Sequence, residues 1–245
     1  MRVTRCIFCG NDSKDSKSVE HIIPESLGNK DLILEKGVVC DKCNNYFASK
    51  IEEPVLSLDG FKRLRFYNFI ENKRGSIPPS DALFMGEIAE TKWVKNADGK
   101  YSLLIGLPPE TIYKMVKNPP KMFVTKGYDL SDDENHRYEI SRFLAKIAVE
   151  YYVYLFLKNQ KAEDNEELKI GVDEHLKKII NFIRIGRQDK RPLKYEAKTK
   201  ESNKTFIEED YDFEIGFTVE QEDLIFNLKI MDTRFKLNLS QNEGL

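Results

Sequence analysis

The longest helical pattern in the chain covers residues 139–159, where apolar side chains recur at the three- and four-residue spacing of an α-helix. The apolar positions at this spacing are Ile140, Phe143, Leu144, Ile147, Ala148, Tyr151 and Tyr152. Four more apolar residues follow at 153–156, so the stripe is wider than one face of a surface helix. We therefore expect a largely buried helix at the centre of the second part of the chain.

Alternation of apolar and polar residues dominates the C-terminal part of the chain, in residues 213–219, 224–231 and 234–239. Polar turn residues separate these stretches, which predicts an antiparallel meander. Residues 82–94 and 101–107 predict two further strands. A second helix is expected over residues 172–185, and the polar stretch 189–202 predicts a loop.

A shorter alternation lies near the N-terminus, where Val19, His21 and Ile23 share one face of a predicted strand. Pro24 ends this strand, and residues 38–39 are the expected returning strand. A helical pattern begins at Asp41. The N-terminal segment is therefore predicted to be a hairpin followed by a helix. Near the end of that helix, Glu52 and Glu53 are expected to be solvated or paired with Lys50 or Arg63.

Composition and charge narrow the class of protein. The 245 residues are 40 % hydrophobic and 33 % charged, which excludes a wholly disordered or collagen-like chain. No apolar run is long enough to span a membrane, and no apolar signal core precedes the first cysteine, so a cytoplasmic protein is expected. The net charge is −2, but residues 61–150 carry 15 basic and 12 acidic side chains and could face phosphates.

All four cysteines lie in the first 43 residues, as two C-x-x-C pairs, Cys6 with Cys9 and Cys40 with Cys43. Four thiolates in two such pairs are typical of a tetrahedral structural zinc site in a cytosolic chain. Two less favoured interpretations remain. Disulfides would need a secreted protein, and a redox motif would need a single C-x-x-C next to a βαβ unit.

The segment between the cysteine pairs holds a carboxylate and an imidazole side by side, Glu20 and His21, and Asn44 follows the second pair. Glu20 and Asn44 oxygens could bind a hard divalent cation, and His21 could activate a water molecule as a general base. The alternatives are a surface position for Glu20, a core histidine at His21 and a helix cap at Asn44.

Together these motifs resemble the HNH endonucleases, also called ββα-metal or His-Me finger nucleases, of the type with a four-cysteine zinc. The resemblance covers residues 1–56 and rests on Cys6-x-x-Cys9, Glu20-His21-Ile-Ile-Pro24, Gly28 and Cys40-x-x-Cys43-Asn44. It implies that His21 is the general base, that Glu20 and Asn44 bind a catalytic Mg²⁺ or Mn²⁺, and that the four cysteines bind a structural Zn²⁺.

Two departures from the family pattern matter, the acid and the middle asparagine. Glu20 stands where many relatives have aspartate, and Asn44 where many have histidine. The middle asparagine of the motif could be Asn29 or Asn45. We expect Asn29 or a backbone group to brace the loop that holds His21, because a loosely held imidazole would be a poor base.

The expected fold class is α+β, with a zinc-stabilised ββα-metal (HNH) module at residues 1–56. Residues 57–245 would form a mixed α+β domain with a long buried helix and a C-terminal antiparallel meander; its role is unassigned, with substrate or partner binding as candidates. The resemblance implies a metal-dependent endonuclease that hydrolyses phosphodiester bonds, and DNA is favoured over RNA as its substrate. By analogy with relatives, its setting would be phage defence or a mobile element.

The expected partners are a nucleic acid and either a second copy of the chain or an operon-encoded protein. Two other functions stay open. The first is a non-catalytic, zinc-dependent module that binds nucleic acid or protein. The second is a nuclease that residues 57–245 activate when they sense a partner or a ligand.

Overall fold

The computed structural model describes residues 4–72, 74–84, 86–117, 123–125, 127, 129–130, 134–159, 174–200 and 213–240. It begins with a short antiparallel hairpin of β1 (Glu20–His21) and β2 (Ile33–Leu34). A 3₁₀ turn at Glu25–Leu27 lies between these strands. The prediction that residues 38–39 return to β1 is wrong. Both residues are buried, and the Val38 carbonyl accepts a hydrogen bond of 3.0 Å from the Ile7 N–H instead.

Three consecutive helical segments follow the hairpin: α1 (Asp41–Phe47), a π-helical turn (Ala48–Glu52) and α2 (Glu53–Leu56). In the π turn the Glu53 N–H bonds to the Ala48 carbonyl, five residues back. Pro54 comes next; it has no N–H, and its ring would crowd the carbonyl four residues earlier in a regular α-helix. The wider turn accommodates this proline. The short helix α3 (Asp59–Tyr67) comes after a bend.

The middle of the chain forms a four-stranded antiparallel sheet in the order β5-β4-β3-β6. Its strands are β3 (Ser80–Phe84), β4 (Glu87–Lys95), β5 (Tyr101–Gly106) and β6 (Phe123–Thr125). The expected strand at 82–94 is therefore two strands, separated by a turn in which Gly86 has a φ of 83°. Helix α4 (Pro109–Lys117) follows β5. The sheet is tied to α3 by the indole of Trp93 on β4, which donates a hydrogen bond of 3.0 Å to the Phe66 carbonyl.

The predicted long helix is confirmed as α5 (Arg137–Asn159), which follows a 3₁₀ turn at Glu134–His136. All residues from Ile140 to Glu150 are buried except Arg142. Helix α5 packs against α6 (Glu174–Ile185), against α2 and the π turn, and against the C-terminal sheet. The second predicted helix is thus confirmed as α6, while residues 172–173 lie outside the described residues. Helix α5 is the element that joins the N-terminal module to the rest of the chain.

The predicted meander is confirmed as β8 (Phe213–Glu220), β9 (Asp223–Ile230) and β10 (Thr233–Asn238). A fourth strand, β7 (Tyr195–Thr199), pairs with β10 and gives the antiparallel order β7-β10-β9-β8. The prediction of a loop over residues 189–202 is therefore wrong for its central part.

One hydrophobic core runs through both parts of the chain. It joins Phe8 and Phe47 of the N-terminal module, Phe143 of α5 and Phe235 of β10. The fold class is α+β, as expected. The division at residue 56 stays a prediction, and the core is continuous across it. Among the described residues, no helix is long and apolar enough to cross a membrane.

Candidate active site

The four cysteine sulfur atoms meet at one point, all within 4.8 Å of one another. Cys6 and Cys9 belong to a turn that is tied to the second pair by the bond from Ile7 to Val38, and Cys40 and Cys43 begin helix α1. The sulfurs of Cys9 and Cys40 are 3.7 Å apart. A tetrahedral zinc with Zn–S bonds of ~2.3 Å needs sulfurs about 3.8 Å apart. The cluster, which contains no disulfide, therefore fits a structural zinc.

The thiols differ in acidity in a way that fits this cluster. A hydrogen bond from the Cys43 thiol lowers the pKa of Cys6 to about 5. The same hydrogen bond raises the pKa of Cys43, and burial raises the pKa of Cys9. Four adjacent thiolates would repel one another without a cation between them, so a bound divalent metal is what would allow all four to ionise.

His21 ends β1 and is half-buried, opposite Ile33 of β2. Its Nδ1 is buried and has no hydrogen-bond partner within the described part of the chain. A buried ring nitrogen without a protein partner is an acceptor that a water molecule or a cation can use. The position is therefore different from that of a core histidine whose nitrogens are satisfied by the protein.

Asn29 braces the loop that follows His21. Its Nδ2 donates to the carbonyls of Ile23 at 2.6 Å and Leu32 at 3.0 Å. Its Oδ1 accepts from the N–H groups of Asp31 and Leu32. The side chain is buried and joins the end of β1 to the start of β2. The expectation that Asn29 braces this loop is confirmed, whereas Asn45 is exposed on α1.

Helix α1 holds the chain just before β1 through two side chains. Asp41 accepts hydrogen bonds from the hydroxyl and the N–H of Ser18, which lower the pKa of its carboxyl. Asn44 donates its Nδ2 to the Val19 carbonyl at 3.3 Å. Cys40, and not Asn44, is the N-cap residue of this helix. The structure thus places Asn44 beside the residue that precedes Glu20.

Glu20 is buried, with 6 % of its side chain exposed, and its Oε1 lies 2.5 Å from the Nζ of Lys146. Lys146 lies in the middle of α5 and is fully buried. Its ammonium also lies 2.6 Å from Oε1 of Glu52 and 3.1 Å from Oε2 of Glu150. We call these four residues the Lys146 cluster. Glu52 is therefore paired in the interior, and the expectation that it is solvated or bound to Lys50 or Arg63 is wrong.

The Lys146 cluster keeps a charged lysine in the interior. Burial by itself lowers the pKa of Lys146, but the carboxylates of Glu150, Glu20 and Glu52 raise it well above the usual value for lysine. Burial raises the pKa of Glu150 well above the usual value for a glutamate, and the Glu20 charge adds to this effect. Neither Glu150 oxygen has a hydrogen-bond partner of good geometry among the described residues.

Sequence reasoning missed Lys146, although a signal for it was present. The apolar stripe of the helix is too wide to leave a polar face, and Lys146 falls inside it with Glu150 one turn later. A lysine at such a position must bury its charge, and it therefore needs carboxylates from other elements.

The comparison with protein families agrees with this geometry. Residues 6–57 match the family model described as HNH endonuclease. No curated protein and no solved structure matches the chain. The resemblance seen in the sequence is therefore confirmed for this segment, which is an HNH module with a four-cysteine cluster.

The donors around β1 and α1 suit a hard divalent cation, which prefers oxygen ligands. Glu20 supplies a carboxylate, and Asn44 keeps its Oδ1 as an acceptor because only its Nδ2 bonds to Val19. The unpartnered Nδ1 of His21 is available as an acceptor to a water molecule. Carboxylate and amide oxygens are the kind of ligand that Mg²⁺ and Mn²⁺ prefer, but Oε1 of Glu20 is already paired with the ammonium of Lys146.

Proposed function

We propose that the chain is a metal-dependent endonuclease that hydrolyses phosphodiester bonds, with His21 as the general base. The observation that carries this proposal is the buried, unpartnered Nδ1 of His21 inside the segment that matches the HNH family. An imidazole held beside a cation site is suited to removing a proton from water near neutral pH. Support for the position of the ring comes from the bonds of Asn29 to the loop behind it.

In this mechanism His21 accepts a proton from a water molecule, whose oxygen forms a new bond to the backbone phosphorus. The bond from phosphorus to the leaving oxygen breaks on the opposite side, and the electron pair goes to that oxygen. Glu20 and Asn44 would hold the Mg²⁺ or Mn²⁺, which supplies charge stabilisation for the phosphate and the leaving oxygen. Asn29 braces the loop that follows His21, and the cysteines would hold the module together through zinc.

We extend the proposal to DNA as the substrate and to defence against phage or plasmid DNA as the setting. This step rests on analogy with other HNH enzymes and not on contacts within the chain. One site of this kind cuts one strand at a time, so cleavage of both strands would need a second copy of the chain or a second binding event.

The ion pair between Glu20 and Lys146 favours a second candidate function, a non-catalytic module that binds nucleic acid or protein. In that case Glu20 is a structural partner of Lys146, and His21 does not act as a base. The two functions differ in one measurable property, because only a nuclease has a cleavage rate that depends on His21.

The test is plasmid cleavage by the full, zinc-loaded chain with Mg²⁺ or Mn²⁺ and with EDTA. His21→Ala should lower the rate by about 10²-fold or more, because a general base contributes that much. His175→Ala, on α6, is the matched control and should cut like the wild type. A His21→Ala chain that cuts as fast as the wild type would overturn the assignment. Absence of cutting of both DNA and RNA by the wild type would favour the binding module.

A further inference from the structure

Lys146 touches two of the three residues of the proposed site, Glu20 and His21, although it lies in another part of the chain. Its Nζ is 2.5 Å from Oε1 of Glu20 and 3.5 Å from the carbonyl oxygen of His21. The lysine comes from the centre of α5, which packs against α2 and the π turn of the N-terminal module. The element that joins the two parts of the chain therefore places a positive charge on the carboxylate proposed to bind the metal.

Three carboxyl groups from three elements surround this ammonium. Glu20 comes from β1, Glu52 from the end of the π turn, and Glu150 from the next turn of α5. The lysine side chain is 0 % exposed, so these groups replace its water. The Lys146 ammonium is thus surrounded as a bound metal cation would be, by three acidic side chains from three elements.

Two cations on the same buried carboxylate repel each other. A Mg²⁺ or Mn²⁺ on Glu20, at about 2.1 Å from an oxygen, would lie within about 5 Å of the ammonium. Like charges at that separation repel strongly in a buried site, where little water screens them. Each of the two cations therefore weakens the binding of the other to Glu20.

We propose that Lys146 is an internal cation that holds Glu20 in the absence of a divalent metal and competes with that metal for the carboxylate. This inference rests on the proposed function for the identity of the competing ion. Lys146 is then a positioning residue that acts through Glu20.

The test measures binding of Mn²⁺ alone to the zinc-loaded full chain by electron paramagnetic resonance. Lys146→Met should bind Mn²⁺ about tenfold more tightly than the wild type or better, because the competing charge is gone. Lys158→Met, on the exposed end of the same helix, is the matched control and should bind like the wild type. The double variant Glu20→Gln/Lys146→Met should lose the gain. Equal or weaker binding by folded Lys146→Met would overturn the proposal.

A measurement on the wild type covers the case in which Lys146→Met does not fold. Magnesium titration should shift the Nζ resonance of Lys146 in ¹⁵N nuclear magnetic resonance spectra, and the shift should saturate with the metal site. A resonance that stays unchanged at saturating Mg²⁺ would overturn the proposal. The cleavage assay separates this result from the fate of the proposed function. If the metal displaces Lys146 from Glu20 but no cleavage is seen, Lys146 is a competitor for the metal and the chain is not a nuclease. If cleavage is seen but the metal does not displace Lys146, the chain is a nuclease and Lys146 is not a competitor.

Discussion

The Lys146 ammonium and the Glu20 carboxylate lie 2.5 Å apart although 126 residues separate them in the chain. This contact joins the first strand of the HNH module to the most deeply buried helix of the second part. The hydrophobic core also passes between these elements without interruption. The site and the long helix are therefore parts of one packed unit, so a change in the packing of one alters the packing of the other.

The Lys146 cluster should dominate the response of stability to mutation. Lys146→Met leaves buried carboxyl groups without their cation, and we expect it to cost about 3–5 kcal/mol of unfolding free energy. Glu20→Gln/Lys146→Met removes both members of the pair and should cost less than the single change. Urea unfolding of the zinc-loaded chain measures both values. A double variant that is less stable than Lys146→Met would show that Glu20 and Lys146 do not compensate each other.

The zinc site should account for most of the stability of the N-terminal module. We expect one zinc per chain by elemental analysis and loss of that zinc in Cys43→Ser. Structural zinc binds with apparent free energies of about 10–16 kcal/mol in small domains, so its removal should unfold residues around α1. Ser49→Ala, at an exposed position in the following π turn, should keep the metal. A zinc-free chain with unchanged thermal unfolding would contradict the assignment.

Asn29 should matter for both stability and cleavage. Asn29→Ala removes two hydrogen bonds donated to carbonyls and two accepted from N–H groups, in a buried loop. The expected cost is about 2–4 kcal/mol, with slower cleavage because the His21 ring is less well held. Asn45→Ala, at an exposed position on α1, is the control. The loop would not depend on Asn29 if both alanine variants unfolded at the same temperature and cut at the same rate.

The sheet in the middle of the chain should weaken in acid through Glu71. Hydrogen bonds from the Tyr101 hydroxyl and the Lys95 ammonium lower the pKa of the Glu71 carboxyl. A lowered pKa in the folded state means that the stabilisation is present above the unfolded-state pKa and is lost as pH falls through the folded-state value. Carboxyl resonances should show a midpoint below that of an ordinary glutamate. Glu71→Gln should remove this acid dependence of stability. A Glu71 carboxyl that titrates with the midpoint of an ordinary glutamate would contradict the prediction.

Elements with a long and regular apolar pattern could be predicted from the sequence. The stripe of α5 and the alternation of β8, β9 and β10 reflect long runs packed against the core. The cysteine spacing and Glu20-His21 predicted the HNH module, which the family match confirms. In each case local periodicity or motif spacing contained the information.

Other features depend on contacts between distant residues. Residues 38–39 look like a strand, but they are buried where the two halves of the cysteine cluster meet. Strand β7 is an edge strand that exposes Glu196 and Lys198, so its alternation has little apolar contrast. The partner of Glu20 could not be predicted from local pattern, because Lys146 reaches it only through the packing of α5.

The most direct test of the proposed function is chemical rescue of the His21 position. In His21→Gly, the zinc-loaded chain should cut plasmid DNA poorly with Mn²⁺, and added imidazole should restore cleavage with a rate that saturates. Such rescue would show that an imidazole at this place removes the proton from water. His21→Gly that cuts at the wild-type rate without imidazole would contradict the role of His21 as the base.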